Sequence, residues 1–108
     1  MDFKELEQKI LDNAKRYEQN HQVKVDLDFS LLKLIEEVGE LYQAIMIHQK
    51  KSRPEKHLPE QESHNQLAEE LSDVVGMAIV LADRLGVDVE KALLDKWINH
   101  SESDGVVV

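Results

Sequence analysis

Both prolines of this 108-residue chain lie in one stretch, KKSRPEKHLPEQE at 50–62. Proline donates no backbone hydrogen bond and pushes the residue before it out of the helical region. A helix entering the stretch must therefore stop before Arg53, and another must restart beyond it. Elsewhere the chain carries only four glycines among long runs of Leu, Glu, Lys, Gln and Ala, residues that favour helix over strand. The expected class is all-α, and the length suits one domain with a modest core.

Periodicity divides the chain into four helices. Phe3, Leu6, Ile10, Ala14 and Tyr17 recur at helical spacing behind Asp2, a cap with Glu5 three residues on, so a first helix is expected over about residues 2–19. The segment NHQVKVDLD breaks the period and offers Asp26 or Asp28 as the next cap. A second helix then has Leu31, Ile35, Val38, Tyr42 and Ile45 as its core stripe. After the proline loop, Ser63 with Gln66 at the box position opens a third, carrying Leu67, Leu71, Val74, Ala78, Leu81 and Leu85 and stopped by Gly86. Asp88 caps a short fourth helix with Ala92, Leu93 and Trp97. Residues 1–100 form the single expected domain, and SESDGVVV reads as a flexible tail over 101–108.

The net charge of −9, from 22 acidic against 13 basic residues, disfavours a nucleic-acid surface, which needs clustered Lys and Arg. It suits divalent cations. The absence of cysteine excludes disulfides, thiolate metal sites and cysteine nucleophiles and fits a reducing cytoplasm. MDFKELEQ lacks the apolar run of a secretory signal. The longest uncharged run, Val74 to Ala82, falls short of the roughly 20 residues that span a bilayer.

The acidic residues are unevenly placed. Glu37 and Glu40 on the second helix, and Glu70 and Asp73 on the third, are each one i,i+3 step apart, so at roughly 100° per residue each pair shares a side bordering the apolar stripe. An exposed glutamate commonly has Lys or Arg four residues later. Here those positions are Leu41, Ala44, Val74 and Met77, and only Lys33 offers Glu37 a local counter-charge. Gly39 adds a cost of about 1 kcal/mol relative to alanine in a helix interior. If the two helices pack antiparallel, the four carboxylates face one cleft, and an all-oxygen ligand set selects Mg²⁺ or Mn²⁺.

EEVGE at 36–40 and ELSD at 70–73 together resemble the Glu-Glu-x-x-Glu and Glu-x-x-Asp motifs of the MazG-like, all-α nucleoside triphosphate pyrophosphohydrolases. LADRLGVDVEKALLDKW looks like that family's junction into its fourth helix, so the resemblance covers roughly residues 28–97. It implies that Glu37, Glu40, Glu70 and Asp73 bind Mg²⁺, with Glu36 as a further ligand or water-orienting base. It also implies cleavage of a nucleoside triphosphate between the α- and β-phosphates, giving the monophosphate and pyrophosphate. Family members continue with a lysine, an asparagine and basic residues that hold phosphate or nucleotide. DKWINHSESDG keeps Lys96 and Asn99 but continues acidic. Lys50, Lys51, Arg53 and Lys56 in the proline loop are the other candidate phosphate contacts.

A phosphoribosyl-ATP pyrophosphohydrolase shares the same carboxylate logic, and a helical module binding a basic partner is the reading outside enzymology. His21, His48, His57, His64 and His100 show no paired metal spacing and read as surface residues. Trp97 reads as packing, and Met46 and Met77 as filler beside the cleft or at an interface. VVGMAIVLA at 74–82 is apolar around its whole circumference, so four short helices are expected to leave Ile79 and Val80 wet in a lone chain. A homo-oligomer built on the third helix follows, and the resemblance likewise implies dimers or tetramers.

Overall fold

The structure, a computed structural model, describes residues 1–99; the expected tail at 101–108 lies outside the described residues. Those residues form α1 (Phe3–His21), α2 (Leu27–His48), a 3₁₀ turn (Pro54–Lys56), α3 (Glu60–Arg84) and α4 (Val89–Leu93), which runs into a π-helical turn (Leu94–Asn99). No strand occurs among the described residues. The molecule is all-α, and α2 packed against α3 is its spine.

Local chemistry fixes the ends. Asp2 accepts from the Glu5 amide at 2.9 Å, and Asp26, not Asp28, caps α2 by accepting from the Phe29 amide at 2.9 Å. At the end of α3, Gly86 has φ +70°. Its amide donates to the Asp83 carbonyl, and the Val87 amide donates back to that of Ala82 at 2.8 Å, a Schellman closure. Asp88 then starts α4 by accepting from the Lys91 amide, and also takes a 2.8 Å bond from Lys4 Nζ, tying the start of α1 to the start of α4.

The start of α3 differs from the sequence expectation. Pro59, not Ser63, stands at the N-cap, where its missing amide hydrogen costs nothing. Ser63 lies one turn inside and is buried. Its hydroxyl donates to the Glu60 carbonyl at 3.0 Å and contacts His48 Nδ1 at 2.8 Å. The hydroxyl has one proton, so with that proton on the carbonyl the imidazole Nδ1–H is the donor across the helix pair. His48 is therefore a joint between the end of α2 and the start of α3 rather than a free surface residue. The opposite end is also pinned: the Val25 amide donates to Glu18 Oε2 and its carbonyl accepts from Arg84 Nε, both at 2.7 Å. These two ties make α2 and α3 antiparallel with a fixed register.

Two expectations about burial are reversed. Ile79 and Val80 are only 4% and 3% exposed, because α1 also packs on α3, and Leu11 and Ile79 wall one cavity. They belong to the interior of the single chain and cannot be the surface on which copies meet. The expected core stripe of α2 is instead outside, with Ile35 62% and Tyr42 63% exposed and Leu31, Val38 and Ile45 exposed with them. In 31, 35, 38, 42 and 45 the steps alternate between four and three residues, the spacing of a coiled-coil seam.

Candidate metal centre

The antiparallel register brings the middle of α2 to the middle of α3, and carboxylates meet there. Glu37, Glu70 and Asp73 each offer an oxygen within 4.8 Å of the others, the one such acidic or histidine cluster among the described residues. Glu40 lies one helical turn from Glu37, and its charge acts on both Glu37 and Glu70. The i,i+3 pairs read from the sequence are therefore neighbours across the helix pair.

The electrostatics are those of a site with more negative charge than Lys33 offsets. Burial, then the Glu40 carboxylate and Asp73, push the Glu37 carboxyl up to about 7 from its ordinary 4.5, with Lys33 opposing weakly. Glu70 is raised in the same direction, first by burial and then by Glu40 and Asp73. Like charges this close disfavour joint ionisation. Glu37 Oε2 and Glu70 Oε2 are buried and have no hydrogen-bond partner. Orphaned buried carboxylate oxygens are costly unless they coordinate a cation. An all-oxygen donor set suits a hard divalent cation.

Glu36 is placed differently. Its side chain is half exposed and accepts from Lys33 Nζ at 3.0 Å, while the same ammonium stands 3.8 Å from Glu37 Oε1. Lys33 is the local counter-charge that the sequence suggested, and its pKa is raised chiefly by the Glu36 hydrogen bond. Gly39 has open space on its Cβ side, so no neighbour within the chain explains it. Lys96 and Asn99 fall on the exposed π-helical turn. They are not among the residues walling the cavity beside the carboxylates.

That cavity, of about 500 Å³, opens between α1, α2 and α3 and includes Glu37 and Asp73 in its wall. Asn13 and Tyr17 of α1 line it. Sequence reasoning took Tyr17 for core and passed over Asn13. The signal available was their i,i+4 spacing, which places both on one face, but nothing local indicates that this face borders a void.

A model of the MazG-like family matches residues 30–107. Comparison with curated proteins and with solved structures gives no match.

Proposed function

The chain belongs to the MazG-like family, and from that premise we propose that it is a Mg²⁺- or Mn²⁺-dependent nucleoside triphosphate pyrophosphohydrolase. The observation that carries this reading is the pair of buried, unpartnered oxygens on Glu37 and Glu70 within the Asp73 cluster. We assign Glu37, Glu70 and Asp73, with Glu40 beside them, to holding the cation. When bound, the metal supplies neutralisation of polyphosphate charge and a polarised water. It also reverses the local sign, which lets an acidic protein accept an anion.

The chain's own residues do the rest. Lys33 holds Glu36 at the edge of the cluster, and Glu36 is the group we assign to orient the attacking water and accept its proton. Water oxygen bonds to phosphorus as the α–β anhydride P–O bond breaks, so the products are nucleoside monophosphate and pyrophosphate. Lys96 and Asn99 remain proposed phosphate contacts, reached by movement of the last turn or from a second copy of the chain.

We also assign self-association to α2. Its exposed seam of Leu31, Ile35, Val38, Tyr42 and Ile45 has the spacing that another helix covers. Leu71 and Val75 of α3 are further exposed apolar residues.

The test is a panel of nucleoside triphosphates and phosphoribosyl-ATP, with Mg²⁺ and with chelator, read by separating pyrophosphate from orthophosphate. Metal-dependent pyrophosphate release is expected. Turnover of phosphoribosyl-ATP alone would narrow the substrate to that intermediate, and complete inactivity would favour the interaction module.

A further inference from the structure

Where the chain turns from α2 into α3, a second set of metal-binding side chains meets. His48 is the last residue of α2 and Glu60 the first of α3. Glu60 and His64 are four positions apart, so they share one face of α3. His48 stands across the helix pair, its ring centroid 6.2 Å from that of His64 and the two planes inclined at 62°. A cavity of about 530 Å³ opens here, walled by His48, Glu60, Gln61 and His64. Along the helix axes this place lies roughly 9–12 Å from the carboxylate cluster, since His48 follows Glu40 by eight residues and His64 precedes Glu70 by six.

The His48 ring is prepared as a ligand. Its Nδ1–H donates to Ser63 Oγ at 2.8 Å, and that buried hydroxyl gives its own proton to the Glu60 carbonyl at 3.0 Å. The other ring nitrogen, Nε2, is then the one that carries the lone pair. Metal-ligating histidines almost always have such an acceptor behind them, because it fixes the tautomer and orients the ring. Two imidazoles bound about 2.1 Å from one tetrahedral ion have centroids roughly 5–6 Å apart. The 6.2 Å found here is close to that spacing.

The donor set differs from that of the carboxylate cluster. Imidazole suits Zn²⁺, Cu²⁺ and Ni²⁺, whereas carboxylates alone suit hard cations. The donor atoms of His48, Glu60 and His64 are not gathered within 4.8 Å, as those of Glu37, Glu70 and Asp73 are. Glu60 and His64 are exposed, so they close on an ion by side-chain rotation while Ser63 holds His48 in place.

We propose that His48, His64 and Glu60 form a second metal site, for Zn²⁺ or another imidazole-seeking divalent cation, which clamps the end of α2 to the start of α3. Two nitrogens and one carboxylate oxygen leave a fourth position for water. The ion closes the chain between its ligands, the segment that carries Lys50, Lys51, Arg53 and Lys56. The clamp stands whether or not the carboxylate cluster hydrolyses nucleotides.

The experiment titrates the metal-free chain with Zn²⁺ in excess Mg²⁺, reading binding heat and melting temperature, and uses electron paramagnetic resonance of bound Cu²⁺ to identify the ligand atoms. One Zn²⁺ per chain at this site, a raised melting temperature and copper coupled to two imidazole nitrogens are expected. His64→Gln and Glu60→Gln, both at exposed positions, should each weaken Zn²⁺ binding by about tenfold or more, and His64→Gln should remove one imidazole from the copper spectrum. Asp73→Asn, which disables the carboxylate cluster, should leave Zn²⁺ affinity and the copper spectrum as they are. Unchanged Zn²⁺ affinity in His64→Gln, loss of that binding in Asp73→Asn, or copper coupled to a single imidazole in the wild type would overturn the site. Zn²⁺ binding that leaves the melting temperature where it was would overturn the clamp.

Discussion

Asp73 and Glu40 are more exposed than Glu37 and Glu70, and the charges of both raise the pKa of those two carboxyls. Asp73→Asn and Glu40→Gln are each expected to lower pyrophosphate release by at least about 100-fold, since losing a metal ligand removes several kcal/mol of transition-state stabilisation. Both variants should melt no earlier than the wild type without metal, because each removes a repelling charge; circular dichroism checks this. The Glu37 carboxyl gives a second expectation. Its folded-state pKa of about 7 lies above the ordinary 4.5, so the folded chain holds its proton more tightly than the unfolded chain. The stability it contributes is full below 4.5 and is lost as pH rises through 7. Metal-free melting temperatures should therefore fall across that window, and Mn²⁺ should raise them most at its upper end, with protons released on binding. A melting curve that rises over the same window, or is flat with and without Mn²⁺, would contradict the assignment. The carboxylate pairs were legible in the sequence because i,i+3 spacing without following Lys or Arg is a local pattern. That Glu36 sits on the far side of Glu40 follows from the same helical spacing, but that Lys33 hydrogen-bonds Glu36 rather than Glu37 was not legible, because it depends on side-chain conformation.

At the scale of elements, helix existence was legible and helix partnership was not. Asp2, Gly86 and Asp88 act through bonds to residues within a few positions, so sequence alone located them, and it narrowed the α2 cap to Asp26 or Asp28. The α3 start was misread because Ser63 has the chemistry of a cap, while its actual role depends on His48, fifteen positions away. Ser63→Ala should destabilise the fold by about 1–2 kcal/mol, leaving the His48 Nδ1–H without its acceptor. Urea unfolding measures it, and a change under half that size would show the joint to be dispensable. Ile79 and Val80 were read as surplus apolar surface because periodicity cannot show that α1 packs on α3 as well. Charged substitutions there should now unfold the protomer rather than separate copies.

The whole molecule is extended for its length. Its radius of gyration is 16.5 Å, against about 13 Å for a compact domain of roughly 100 residues, and the α2 seam is bare along its outer face. A second copy laid along α2 would cover the seam, each half-exposed Leu, Ile or Val contributing roughly 1 kcal/mol on burial. Ile35→Glu and Tyr42→Glu should accordingly shift the protein to monomer in equilibrium sedimentation, and an active wild-type monomer at micromolar concentration would refute the association. The central claim is narrower: the α2–α3 carboxylate cluster cleaves the α–β anhydride of a nucleotide. Its most direct test is to incubate the purified wild-type chain and Asp73→Asn side by side with nucleoside triphosphate and Mg²⁺ and to quantify every phosphate product. Equal amounts of nucleoside monophosphate and pyrophosphate from the wild type, with both nearly abolished in the variant, are predicted; orthophosphate as the first product, or equal turnover by the two proteins, would contradict it.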